Sequence, residues 1–243
     1  MFYFVNALVL LTIIAAKLVY NLAAEGKEDE VDLTTTDFDN AKLVTDVDAK
    51  DDKMYNANKF EGDIDLGHNR IEDYMPKKFD PNKRVFHNAV RSKYRLWRNK
   101  TIPYKVSANY TKAERSVIAA AIATYHNLTC LRFVAQTNQK DYVFFMKGDG
   151  CYSQVGCNGD RQDVSIGTGC LAKGIVLHEL MHTVGFFHEQ ARNDRDRNVQ
   201  VVWKNIISGA EGQFKKYSLD EITHLDEKYD YASIMHYAPY GFT

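Results

Sequence analysis

The 243-residue chain is short of most features that define specialised classes of protein. Its four cysteines are too few for a small scaffold that depends on disulfides, although they suffice to staple a larger core in an oxidising compartment. Four prolines and 14 glycines exclude a collagen-like chain. No charge of one sign prevails, and a net charge of −1 gives no support for a chain-wide nucleic-acid surface. The longest almost uninterrupted apolar run, Phe2 to Ala16, ends at Lys17 and falls short of the roughly 20 residues that a membrane-spanning helix needs. What remains is ordinary globular composition, 45% hydrophobic and 26% charged, enough for one or two domains.

The apolar run instead resembles the core of a secretory signal peptide. Ala15, Ala16, Ala23 and Ala24 supply small residues for cleavage, which places the signal at 1–24, with an uncleaved anchor as the alternative. Three glycosylation sequons, starting at Asn99, Asn109 and Asn127, agree with a secreted, extracellular chain that makes no stable membrane insertion.

The near-neutral charge conceals two electrostatic halves. Glu25 to Arg84 holds 17 acidic and 10 basic residues, a charge of −7, whereas Asn88 to Thr243 holds 15 acidic and 20 basic, a charge of +5. Either the first half is a solvated leader, or it packs as an acidic segment on its basic neighbour. Between Glu25 and about Asn58 no period of 3.6 or 2 is sustained, which predicts a poorly packed stretch. Pro76, Pro81 and the pair Lys83-Arg84 mark a boundary. Beyond it, Ile102–Val106, Leu131–Ala135, Tyr142–Met146 and Asp163–Ile166 read as strands. Thr111 and Glu114 form a capping box for a helix whose apolar stripe runs through Val117, Ile118, Ala121, Ile122 and Tyr125.

The chemistry is concentrated in His178-Glu179-Leu180-Met181-His182-Thr183-Val184-Gly185-Phe186-Phe187-His188-Glu189. On a helix, His178 and His182 stand at i and i+4, on one face and about 6 Å apart along the axis, so both imidazoles can chelate one ion. Glu179 lies about 100° around the helix, placed to reach a metal-bound water as general base. Gly185 stops the helix, and the turn can bring His188 to the same ion. Three His ligands leave a fourth position open, the mark of a catalytic zinc site. By composition, an H-E-x-x-H arises by chance in roughly 1% of such chains, but in only about 2 in 100,000 once Gly185 and His188 are required.

This segment resembles that of the astacin family of metzincin zinc endopeptidases, and Tyr229-Asp-Tyr-Ala-Ser-Ile-Met-His-Tyr237 resembles the family's Met-turn. Leu96-Trp97, Ile102-Pro103-Tyr104, Thr129-Cys130-Leu131-Arg132-Phe133, Gly150-Cys151-Tyr152-Ser153, Gly169-Cys170 and Asn205 to Gly209 follow in the expected order. The resemblance implies an α+β, zincin-like catalytic domain over 88–243. Its N-terminal subdomain would hold a twisted mixed sheet and two long helices, one carrying the zinc ligands, and its C-terminal subdomain would be incomplete. It also implies one Zn2+ on His178, His182 and His188, a protein or peptide substrate, and hydrolysis with no covalent intermediate. Glu179 would take a proton from the zinc-bound water, Met235 would floor the site, and Tyr237 would be a resting-state ligand that swings away to stabilise the oxyanion.

Phe60-Glu61-Gly62-Asp63 resembles the family's pro-segment motif, which makes 25–87 an inhibitory leader, Asp63 its latency ligand and an activating protease a necessary partner. The family's mature N-terminus would fall at Asn88, near Glu189 as its structural partner, yet His87 rather than a basic residue precedes it and Lys83-Arg84 comes three positions early. Cys151 and Cys170 match a family disulfide. Cys130 matches a half-cystine whose partner would lie beyond Thr243, and Cys157 matches none, so the resemblance implies a chain cut short at its C-terminus. Two functions follow: a secreted zinc endopeptidase made as a zymogen, or a secreted zinc-binding module inactive through that truncation. The basic run Arg91 to Lys100, with Tyr94 and Trp97 interleaved, does not make a nucleic-acid site in such a chain. His68, His87, His126, His224 and His236 lack ligand spacing among themselves.

Overall fold

The structure is a computed structural model that describes residues 28–45, 55–56, 58–68, 87–90, 92–218, 222–224 and 227–243. The expected signal segment 1–24 and the Lys83-Arg84 pair lie outside the described residues. The backbone divides into two compact units, Met1–Glu30 and Val31–Thr243, and the elements around the site all belong to the second. Among the described residues no helix is long and apolar enough to cross a membrane.

The elements that position the site are α1 (Thr35–Ala41), β1 (His87–Val90), β2 (Thr101–Ser107), α2 (Lys112–Leu128), β3 (Arg132–Ala135), β4 (Tyr142–Met146), β5 (Cys151–Tyr152), β6 (Arg161–Ile166), α3 (Lys173–Val184) and β7 (Ile222–His224). Strands β2, β4, β6 and β5 run side by side in that order, with β3 also paired to β2. The pairs β2–β3, β2–β4 and β4–β6 are parallel, and β5 closes on β6 antiparallel, so the sheet is mixed as expected. Parallel strands bury both faces and read as apolar runs, which is why Val143, Phe144 and Phe145 of β4 are all fully buried.

Helix α2 starts where its sequence signal lies. Thr111 Oγ1 accepts from the Glu114 amide at 3.3 Å, and the Glu114 carboxylate accepts from the Thr111 amide at 2.7 Å. Its stripe of Ile118, Ala121, Ile122 and Tyr125 joins Ile102, Tyr104, Val106, Phe145 and Val164 of the sheet and Ile175, Val176 and Leu180 of α3 in the main core. The polypeptide beyond His188 has mostly single turns of 3-10 helix, at Glu189–Ala191, Arg195–Arg197, Trp203–Asn205 and Glu211–Phe214.

For residues 25–84 one expectation changes and one open alternative is decided. The stretch read as poorly packed contains α1, which the Thr34 hydroxyl caps and which the Asp37 carboxylate closes by accepting from the Thr34 amide. Its Phe38 and Ala41 pack on Ala119 and Ala120 of α2. The two electrostatic halves do meet: Asp37, only 1% exposed, pairs with Arg115 at 3.3 Å, and Asp32 pairs with Lys105 at 2.9 Å. Partial burial of the first pair makes it worth more than the exposed one.

Cys151 and Cys170 form the disulfide, both fully buried, while Cys130 is exposed and Cys157 buried, each a free thiol. The bridge closes a loop with a sequence separation of 19, so its loss removes about 3 kcal/mol by chain entropy. The double variant C151S/C170S is expected to melt roughly 6–12 °C lower, followed by circular dichroism. A shift below about 2 °C would show that the bridge does not constrain the unfolded chain.

Candidate metal centre

Helix α3 fixes the first two imidazoles. Its Ile175, Val176 and Leu180 anchor one face in the core, which leaves His178 and His182 on another, their rings 4.9 Å apart and nearly perpendicular. The helix ends at Gly185, whose φ of +124° is costly for any residue with a Cβ, and whose amide donates to the His182 carbonyl at 2.8 Å. A Cβ there would also lie 2.9 Å from Val90 Cγ2. The chain turns back through Phe187, fully buried against Val90 and Ile222, and delivers His188 with its ring 5.2 Å from His178 and 4.7 Å from His182.

Each ring is fixed from behind through Nδ1. His178 Nδ1 donates to the Ile234 carbonyl at 2.6 Å, His182 Nδ1 to the Phe186 carbonyl at 2.7 Å, and His188 Nδ1 to Glu61 Oε2 at 2.8 Å. A carbonyl or carboxylate oxygen only accepts, so in the neutral ring each Nδ1 holds the proton and each Nε2 presents a lone pair. The Nε2 atoms converge: those of His178 and His188 are 3.3 Å apart. Asp63 completes the group, with Oδ2 at 3.0 Å from His178 Nε2 and 3.2 Å from His188 Nε2, and Oδ1 at 3.2 Å from His182 Nε2 but not aligned for a hydrogen bond.

Four electron-pair donors therefore face one another within 4.8 Å, all buried. Such an arrangement is repulsive unless a cation sits among them. Three imidazole nitrogens and one carboxylate oxygen suit Zn2+ in four-coordination, and outer hydrogen bonds to each ligating ring are the usual companions of such a site. The donor set fits the metal.

Glu179, next to His178 on the same helix, is fully buried, and neither of its carboxylate oxygens has a hydrogen-bond partner among the described residues. Burial pushes its carboxyl well above the ordinary range, and the charge of Asp63 adds to the effect. Met235 is buried in the turn that follows Asp230. Its carbonyl accepts from the Glu189 amide at 2.8 Å, while its neighbour Ile234 supplies the carbonyl behind His178. The Tyr237 ring lies tilted beside His188 with centroids 4.7 Å apart, and its hydroxyl donates to the Glu61 carbonyl at 2.6 Å. Burial and the nearby Glu61 carboxylate hold the phenol well above its usual range, so it stays a donor.

Glu189 is a junction. Its Oε1 accepts from Arg192 and from the Asp230 amide, each at 3.0 Å, and its Oε2 from Asn88 Nδ2 at 3.2 Å. Asn99, Asn109 and Asn127 are all exposed. The remaining histidines stand apart from the cluster where they are described: His126 Nε2 accepts from the Phe133 amide and His236 Nε2 meets Tyr229 Oη. Sequence reasoning missed Glu61 and Tyr217, whose hydroxyl donates to Glu61 Oε1 at 2.5 Å. The only signal for Glu61 was its place as the variable residue of F-x-G-D.

The fold and this centre together define a zinc metallopeptidase domain: a mixed sheet backed by two helices, with a buried three-histidine site built from the second helix and the turn that follows it. The model of the astacin peptidase family matches residues 89–243, and the chain belongs to that family. It is 45% identical over 222 residues to zinc metalloproteinase nas-4 of Caenorhabditis elegans, covering 89% of this chain and 70% of the relative. Against zinc metalloproteinase nas-13 of the same nematode it is 46% identical over 200 residues, covering 79% of this chain and 44% of the relative. Among solved structures, high choriolytic enzyme 1, a hatching enzyme zinc-protease from the medaka fish Oryzias latipes, matches with a TM-score of 0.57 and 36% identity, over 70% of this chain and 80% of that one. Zinc is the metal of these relatives, in keeping with the donor set.

Proposed function

We propose that this chain is the precursor of a secreted zinc endopeptidase, with a signal at 1–24, an inhibitory leader at 25–87 and a catalytic domain from Asn88 onward. The observation that carries the reading is the convergence of three Nε2 lone pairs on the carboxylate of Asp63, a residue of the leader. His178, His182 and His188 hold the zinc, and Asp63 takes the position that water and substrate need. When bound, zinc supplies a Lewis acid that polarises the scissile carbonyl and acidifies water.

The chain's own groups do the rest. Glu179 lies beside the metal ligands with its oxygens uncommitted, so it takes a proton from the attacking water and passes it to the leaving amine. Its raised proton affinity suits that exchange. Tyr237, released from Glu61 when the leader departs, donates its hydroxyl proton in a hydrogen bond to the developing oxyanion. Met235 and Glu189 hold the floor and the domain's first strand, respectively.

The leader lies across the site from Tyr55 to Asp65. Ala238 donates its amide to Tyr55 Oη at 2.8 Å, Gln213 Nε2 donates to the Lys59 carbonyl at 3.1 Å, and Ile64 forms a parallel bridge with Ser153. Cutting it away by another protease frees the cleft.

The test is metal dependence of the processed protein. Treated with a chelator it should lose hydrolysis of a protein substrate such as casein, and stoichiometric zinc should restore it. A processed, zinc-loaded preparation that cleaves nothing would leave only a zinc-binding module.

A further inference from the structure

The three metal-binding rings are not supported alike. His178 and His182 rest on main-chain carbonyls of Ile234 and Phe186, which remain when the leader is removed. His188 rests on Glu61, a side chain of the leader 127 positions away in sequence. That carboxylate is fully buried and doubly engaged, since Oε2 accepts from His188 Nδ1 and Oε1 from the Tyr217 hydroxyl. Its own carbonyl holds the Tyr237 hydroxyl. Glu61 also sits at φ +48°, in the left-handed region that disfavours a side chain, and it precedes Gly62 at φ +85°. The surrounding contacts of its carboxylate and carbonyl hold it in that conformation.

We propose that Glu61 is a second arm of the leader's grip, a carboxylate behind His188 that strengthens this ring as a ligand in the precursor and is withdrawn on activation. The inference rests on the reading of Asp63 as the latency ligand and adds a separate mechanism to it. Asp63 blocks the open position from the front. Glu61 polarises the Nδ1–H bond of His188, raises the basicity of Nε2 and fixes the ring plane, while its backbone carbonyl keeps Tyr237 occupied. Removal of such an outer partner costs metal sites about 10- to 100-fold in affinity. The precursor therefore binds zinc more tightly than its product does, and one short segment locks the ligand, the open position and the oxyanion donor together.

The experiment uses the full precursor loaded with zinc, challenged with a colorimetric zinc chelator, with hydrolysis of casein followed in parallel. Glu61→Ala is expected to release zinc about 10- to 100-fold faster than wild type and to show hydrolysis before the leader is cut. Glu61→Gln keeps an acceptor for His188 but loses the charge, so its release should fall between the two. In the cobalt-loaded precursor, Glu61→Gln should shift the visible absorption band, a change that mere loosening of the leader would not produce while Asp63 stays bound.

Once the leader is cut away, Glu61→Ala and wild type give the same chain, so equal hydrolysis then verifies the fold. If Glu61→Ala does not fold, release from Glu61→Gln decides alone. Release within twofold of wild type in the folded variants overturns the proposal. Asp63→Ala separates the two levels: a silent Asp63→Ala precursor refutes latency through Asp63, whereas an active one beside wild-type behaviour of the Glu61 variants refutes only the second arm.

Discussion

Glu179→Gln will keep its zinc and lose its hydrolysis. Loss of a positioned general base lowers kcat by about 10²- to 10⁴-fold, whereas the donors that converge within 4.8 Å come from His178, His182, His188 and Asp63 and do not include Glu179. The amide is nearly isosteric, so little packing changes. It also removes a carboxylate that has no hydrogen-bond partner in a fully buried setting, an expensive arrangement for stability. The variant should therefore melt no lower than wild type. Metal content by mass spectrometry and kcat on a peptide substrate check both halves of the prediction. Retention of more than about a tenth of the activity would remove Glu179 from the base role. Loss of zinc in step with activity would make it a support of the metal centre instead.

Asp63→Ala is expected to give the proposed latent precursor activity before any cut. The Asp63 carboxylate is 1% exposed, lies within 3.0–3.2 Å of all three Nε2 atoms, and is the leader's one group in the donor cluster. Breaking a buried charged interaction of this kind costs about 3–5 kcal/mol. That shifts the balance between a seated and a displaced leader by roughly 10²- to 4 × 10³-fold, since each 1.4 kcal/mol is a factor of ten. The remaining contacts, from Tyr55, Lys59 and Ile64, keep the leader nearby without closing the open position. Casein hydrolysis by the uncut variant, with the intact mass confirmed, is the measurement. Activity equal to that of the uncut wild type would refute the switch.

Much of the fold and of the site is legible in the sequence because the signals are local. The capping box at Thr111 and Glu114, the apolar run Tyr142–Met146 and the His178, His182, Gly185, His188 spacing each lie within a few turns of chain, and each appears where the spacing puts it. Helix α1 is not legible in that way. Seven residues are too few to show a helical period, and an isolated helix of that length is unstable in water. It persists because Phe38 and Ala41 meet α2 and Asp37 meets Arg115, contacts made across some 78 positions. Glu61 is illegible for the same reason, as its meaning lies in His188, Tyr217 and Tyr237, all more than 120 residues away. The free thiols add a third case. Spacing cannot decide whether Cys130 and Cys157 pair, whereas the fold leaves both as free thiols, one exposed and the other buried.

Strand β1 has a kinetic consequence for maturation. Its register sets His87 opposite His224 and Asn88 opposite Thr223, and on its other side the Asn88 carbonyl accepts from the Phe187 amide while Val90 donates to the Gly185 carbonyl. The bond between His87 and Asn88, where the mature chain is proposed to begin, is thus enclosed in a ribbon, with Asn88 only 7% exposed. A protease grips its substrate as an extended segment with free edges, and this segment has none until the ribbon opens. Final trimming is then paced by that local opening. Its rate levels off at a ceiling set by the chain itself as protease is raised, and an earlier cut upstream leaves an intermediate with a measurable lifetime.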